Sequence, residues 1–294
     1  MTVTLSDFRK TKEIMIQEQL ALLIQQLEIP MSLKESMHYS LQAGGKRIRP
    51  LLLLAVLEGL EKEHDDAYRV AAAIEMIHTY SLVHDDLPSM DDDDLRRGMP
   101  TNHKVFGEAV AILAGDALLT YSFGIIARLE HVSSVDKIRL IDLMSLSAGA
   151  EGMVGGQVLD IEGEEKQLEL AELEQVHRLK TGALLTFSIL AGAILGEATP
   201  EQMVAYSKFG RHIGIAFQIQ DDILDVTGTS EELGKTAGKD ESSEKSTYPS
   251  LLTLSGAQEK LDHHAAEAMA ALREIGGNQE RLEQLTQLIV NRKN

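Results

Sequence analysis

Residues 201–226, EQMVAYSKFGRHIGIAFQIQDDILDV, decide the fold class: apolar side chains recur at helical spacing along the stretch, which ends in the acidic run Phe217-Gln218-Ile219-Gln220-Asp221-Asp222-Ile223-Leu224-Asp225. The same periodicity, with few β-branched alternations, covers Ile14–Leu27, Leu51–Leu60, Ala67–Leu87, Ala109–Leu129, Ser134–Gly152, Leu168–Leu195 and Gln258–Ile275. An all-α fold is expected. Pro50, just before Leu51-Leu52-Leu53-Leu54, fits the first position of a helix. No composition break resembles a linker and no fixed-period repeat is visible, so residues 1–294 are expected to form one domain.

Lys plus Arg number 28 against 46 Asp plus Glu, a formal charge of −18, which argues against a nucleic-acid surface and against anionic membranes. A small anionic substrate would need local help from cations. Cysteine is absent, so any metal site must use oxygen or nitrogen, and a cytoplasmic location fits. Residues 1–12 lack the basic start and apolar stretch of a secretory signal, and no apolar run approaches a membrane span of roughly 20 residues.

The acidic run at 217–225 has a counterpart in Ser81-Leu82-Val83-His84-Asp85-Asp86-Leu87-Pro88-Ser89-Met90-Asp91-Asp92-Asp93-Asp94. Two unit charges 4 Å apart at an effective dielectric of about 20 repel by about 4 kcal/mol, so clustered carboxylates beside apolar runs call for cations. Asp221 and Asp225 share one helical face, with Gln218 one turn before and Asp222 beside them. A partial oxygen cage of this kind suits Mg²⁺, which keeps waters and takes substrate phosphates. Neither run has the glycine and terminal glutamate of an EF-hand loop. Pro88 makes it hard for Leu87 to stay helical, which puts Asp85 and Asp86 at a helix C-terminus, where the macrodipole disfavours acids unless a cation compensates. Asp91 could fold back toward the same ion, whereas Arg96-Arg97 could simply balance Asp92, Asp93 and Asp94. A solvated acidic face is the plain alternative for either run alone.

Gly44-Gly45-Lys46-Arg47-Ile48-Arg49-Pro50 sets glycines and cations at a helix start, the makings of a phosphate site without a Walker A pattern. His78, seven residues before Asp85, lies near its helical meridian and could donate to an anion; His84 has only adjacency in its favour and reads as structural. Lys180-Thr181-Gly182 interrupts an apolar helix, and Gly152–Gln157 reads as close helix packing or as a smooth pocket wall. Residues 228–240 form a polar, lysine-bearing stretch after the second acidic run, expected to be a loop able to act as a lid.

Taken together and in this order, these motifs resemble the trans short-chain isoprenyl diphosphate synthases, most closely the bacterial farnesyl diphosphate synthases. The resemblance spans nearly the whole chain. It implies a helical bundle around a deep cavity, usually homodimeric, that condenses isopentenyl diphosphate with allylic diphosphates. By motif match, Asp85, Asp86, Asp91 and Asp221 would hold about three Mg²⁺ ions, with Mn²⁺ as a substitute and Asp222 and Asp225 as supporting metal-site acids. Arg96, Lys180 and Lys235 would grip the allylic diphosphate, and Lys46, Arg49, His78 and Arg97 the isopentenyl diphosphate, while Thr181 and Gln218 would line the allylic cation. In the family a bulky residue before the first motif floors the hydrocarbon tunnel, and Tyr80, followed by Ser81, stands there, which resembles synthases of the farnesyl product. Helix geometry alone puts Tyr80 about 140° around from Asp85, so this step rests on the resemblance. Geranyl or geranylgeranyl synthesis, a single-substrate terpene cyclase, a non-catalytic modulatory subunit and an acidic metal buffer are the competing readings.

Overall fold

The computed structural model describes residues 4–164, 166–227 and 246–292. Apart from one short hairpin the described elements are helices, as the periodicity predicts. Internal packing divides the chain into two compact units, residues 1–54 with 64–141 and residues 55–63 with 142–294.

The first unit is built on α4 (Ala67–Asp85), whose Val70, Ala71, Ala72, Ala73, Ile74, Met76 and Ile77 are all buried; a helix apolar around most of its circumference belongs at the centre of a core. α1 (Leu5–Gln25), α2 (Met31–Gln42) and α6 (Glu108–Ala127) pack on it. Thr4 caps α1, its hydroxyl accepting the Asp7 amide at 3.1 Å. Between α4 and α6 lie the antiparallel pair β1 (Leu95–Arg96) and β2 (Met99–Pro100), then α5 (Asn102–Phe106). Buried Asn102 ties α5 to α2, donating to the Ser36 carbonyl and the Ser40 hydroxyl and accepting from the Ser36 hydroxyl. α3 (Ile48–Gly59) begins two residues before Pro50, so the proline sits inside the first turn, where its missing N–H has no intrahelical partner to lose.

In the second unit α8 (Met153–Glu164), α9 (Leu170–His177), α10 (Ala183–Leu195), α12 (Tyr248–Ile275) and α13 (Glu280–Val290) accompany the central α11 (Pro200–Thr227). α7 (Ser134–Ala148) leads into it. The single helix expected over 168–195 is α9 and α10 joined by a π-turn at Arg178–Gly182, a geometry that recurs at functional sites. Periodicity alone missed α2, α5, α8 and α13.

Two stretches, Glu108–Ala127 and Leu170–Leu195, are long and apolar enough to cross a bilayer by length and composition, which corrects the expectation that no such run exists. In the first, Ala111, Ala114, Gly115 and Leu118 are buried against the first unit's own core, and Asp116 at mid-helix would cost about 3 kcal/mol at a bilayer centre. Most of the second is buried within its unit.

α12 is broken at Thr253, with φ 68° and ψ 164°, a region essentially reserved for glycine. Thr253→Gly relieves strain of about 1–3 kcal/mol and loses only a few tenths for the weak cap its hydroxyl gives the Gly256 amide at 3.4 Å. A net gain of about 1 kcal/mol is expected in urea unfolding, and a loss would contradict the strain.

Candidate active site

α4 ends at Asp85, and the chain turns back on itself: the Asp91 amide donates to the Asp85 carbonyl at 2.9 Å and the Asp92 amide to the Leu87 carbonyl at 3.1 Å. Asp91 thus returns to the helix end, where partial negative charge already accumulates. Asp86 is buried and receives both the Nε and Nη2 of Arg96 on one oxygen, at 2.6 and 2.5 Å. Burial pushes the Asp86 carboxyl above its ordinary range, and Arg96 offsets part of that shift. Arg96 also reaches Asp93 at 3.6 Å, while Asp94 is paired at 2.7 Å with Lys104 on α5, a partner the sequence did not announce.

The Gly44–Pro50 turn divides its cations by direction. Arg47, left-handed at φ 48°, points inward to Glu75 and also donates to the Leu41 carbonyl at 2.6 Å and to Gln17 at 2.9 Å. Lys46 is exposed and Arg49 half-buried. The Arg97 guanidinium donates to the Gly44 carbonyl and occupies the space a Cβ at Gly45 would need, so glycine is required there for room as well as for its φ of 117°. His78 lies amid these cations: burial, then Arg49, Arg97, Arg47 and Arg96, hold its imidazole well below the ordinary range. At neutral pH it is uncharged and keeps one N–H to donate. So many positive groups around one neutral donor favour a multiply charged anion.

Tyr80 is buried, and burial followed by the nearby Asp85 charge pushes its phenol up to about 12. Its ring meets that of His84 edge-on at 5.7 Å, and His84 faces the Ile112 carbonyl at 3.0 Å in space that a side chain at Gly115 would fill. His84 is therefore a packing residue. The Ser81 hydroxyl donates back to the His78 carbonyl at 2.9 Å.

In the second unit the π-turn carries Lys180 and buried Thr181. Glycines bring it close to its neighbours: a Cβ at Gly156 would strike the Lys180 backbone, and one at Gly214 would lie 2.7 Å from the Gly182 Cα. Of the two readings for Gly152–Gln157, close packing describes Gly156. Lys180 Nζ is 2.6 Å from Asp160 on α8, an acid twenty residues away in sequence, a separation that hides the pair from a periodicity reading.

On α11, Gln218 and Asp221 are half-buried while Asp222 and Asp225 are buried. Asp222 Oδ2 accepts the Tyr248 amide at 2.9 Å and lies 3.5 Å from His177 Nε2, and the His177 ring stacks on Tyr248 at 5.6 Å. Asp222 thus anchors the start of α12 to α11. Asp221 pairs at 2.7 Å with Arg292, beyond α13. Glu75, Lys104, Asp160, His177 and Arg292 are the site neighbours that motif reading missed. Lys235 and the stretch 228–239 lie outside the described residues.

Among the described residues no three acidic or histidine side chains are gathered tightly enough to enclose a metal alone. Mg²⁺ does not require that, because it retains waters and binds through one or two carboxylates plus phosphate oxygens. The all-oxygen donor sets of Asp85 with Asp91, and of Asp221, fit such an ion.

A family model described as polyprenyl synthetase matches residues 30–289. The chain belongs to that family. Over 294 residues it is 52% identical to farnesyl diphosphate synthase of Bacillus subtilis (strain 168), covering 99% of each chain. It is 53% identical over 273 residues to farnesyl diphosphate synthase of Geobacillus stearothermophilus, covering 92% of each. Among solved structures, geranyltransferase from Helicobacter pylori, complexed with magnesium and isoprenyl diphosphate, superposes with a TM-score of 0.82 at 32% identity, over 97% of this chain and 96% of that one. The all-α architecture is thus that of the polyprenyl synthetase family.

Proposed function

We propose that this chain is a divalent-metal-dependent prenyltransferase that joins isopentenyl diphosphate head-to-tail to dimethylallyl and geranyl diphosphates and releases (E,E)-farnesyl diphosphate. The observation that carries the reading is the gathering of Arg47, Arg49, Arg96 and Arg97 about neutral His78, on the helix that ends in the Asp85–Asp91 turn. Full-length kinship with chains named farnesyl diphosphate synthase supports the product.

Lys46, Arg49, Arg97 and the His78 N–H bind isopentenyl diphosphate through charge-assisted hydrogen bonds. Arg96, Lys180 and Lys235 hold the allylic diphosphate and stabilise the charge that develops on it as it leaves. Asp85, Asp86, Asp91 and Asp221 would hold Mg²⁺, with Asp222 and Asp225 fixing the second acidic helix. When bound, the metal supplies Lewis-acid stabilisation of the leaving group. The allylic C–O bond breaks, and Thr181 and Gln218 present oxygens to the carbocation. The isopentenyl double bond then forms the new C–C bond, and the departing diphosphate accepts the proton whose loss restores an alkene. Residues 1–294 are read as one prenyltransferase domain. The chain is further read as a homodimer, with the exposed apolar residues Ile112 and Leu113 on α6 and Val135 and Ile138 on α7 as candidates for the contact.

Incubation with isopentenyl diphosphate, dimethylallyl or geranyl diphosphate and Mg²⁺, followed by product analysis, tests the proposal; no condensation with either primer would refute it. Tyr80 is the proposed floor of the hydrocarbon tunnel. Tyr80→Ala is expected to shift product toward longer chains, and an unchanged C15 product would remove Tyr80 from that role.

A further inference from the structure

We infer that Arg292 is a built-in counter-cation of the second acidic motif, holding Asp221 in place until a divalent metal displaces it. The inference rests on the proposed metal role of Asp221. Arg292 grips one face of α11 at Phe217, Gln220 and Asp221. Its Nη2 is 2.7 Å from Asp221 Oδ1 and donates to the Phe217 carbonyl at 2.6 Å. Its guanidinium lies over the Phe217 ring, 3.9 Å from the centroid, and its own carbonyl accepts from Gln220 Nε2 at 2.9 Å. The Arg292 side chain is only 7% exposed, whereas that of Asp221 is 45% exposed. A surface arginine making a casual pair would not bury its guanidinium, stack it and tie down its backbone as well.

The arrangement answers the electrostatic problem that the sequence poses. Asp221, Asp222 and Asp225 sit within little more than one helical turn. Asp222 is held from within, accepting the Tyr248 amide, which leaves the outward carboxylate of Asp221 to be neutralised. Arg292 does this through one nitrogen, Nη2, shared between the Asp221 carboxylate and the Phe217 carbonyl. A divalent ion on the same carboxylate would come within a few ångströms of that guanidinium, and like charges at that range repel strongly. Metal loading at Asp221 therefore exchanges one cation for another, and the exchange frees the turn after α13 from its hold on Phe217, Gln220 and Asp221. Arg292 acts as a positioning residue: it keeps Asp221 aimed, and its competition sets the metal concentration at which the site fills.

The test uses Mn²⁺ without any diphosphate, followed by the paramagnetic signal and by amide exchange of residues 288–292. In the wild type, exchange at these amides should rise as Mn²⁺ is added. Arg292→Gln should show fast exchange from the start and bind Mn²⁺ at the second motif about tenfold more tightly, the worth of a lost charged hydrogen bond. Arg292→Lys, which keeps the charge, should stay near the wild-type affinity and guards against loss of local packing as the cause. If Asp221→Asn weakens Mn²⁺ binding while Arg292→Gln leaves it unchanged or weaker, the counter-cation role is overturned and the metal role of Asp221 stands. If Asp221→Asn binds Mn²⁺ like the wild type, the metal role fails and takes this inference with it.

Discussion

Asp85→Asn is expected to lower turnover by roughly two to three orders of magnitude, the range seen when a single preorganised electrostatic contribution is removed from a transition state. The substitution is nearly isosteric and leaves the backbone bond from the Asp91 amide to the Asp85 carbonyl intact, so the turn should survive. What disappears is charge. Asp85 closes α4, and an acid in a last helical turn opposes the macrodipole by about 0.3–1 kcal/mol. The variant should therefore melt at the wild-type temperature or slightly above it while losing activity. Opposite signs for stability and rate separate a functional carboxylate from a structural one. Steady-state turnover with saturating substrates and Mg²⁺, measured beside a thermal melt, checks both; unchanged turnover would sink the metal assignment of Asp85.

Glu75→Ala should produce the largest loss of stability of any single change near the site, about 3–5 kcal/mol, because it leaves a buried arginine without its counter-ion. The side chains of Glu75 and Arg47 are 3% and 5% exposed. Arg47 would keep its bonds to the Leu41 carbonyl and Gln17, but neither partner carries charge. Since Arg47 is a left-handed residue between Lys46 and Ile48, strain released there should also loosen the turn that presents Lys46 and Arg49. A raised KM for isopentenyl diphosphate is expected together with the lower unfolding midpoint. The double variant Glu75→Leu, Arg47→Met should recover much of the stability, because an apolar pair of similar volume needs no compensation. It should not recover the KM.

The recognisable motifs are local in sequence, and locality explains why they could be read without coordinates. Asp85, Asp86 and Asp91 are linked by one helix end and one turn, and Pro88 forecasts where that helix stops. The same holds for Gln218 and Asp221 on one helical face and for the cations around Pro50. The partners of these residues could not be read in the same way. Asp160 holds Lys180 across a close approach of α8 to the π-turn that Gly156 permits, and Glu75 holds Arg47 from the middle of α4. Buried counter-charges sit on other elements because a core places distant segments in contact, and no period along the chain encodes which ones.

Helical periodicity determined the all-α class, and the order of the charged motifs determined the family, since both follow from near-neighbour geometry and from carboxylates and guanidiniums needing counter-charge. Tertiary structure alone decided how those charges are shared. It turned Arg47 inward, set Asp222 as the anchor of α12, and put Arg292 on Asp221. A charged group buried by packing must be compensated by whatever packing brings beside it, so the two aspartates adjacent in sequence have different partners.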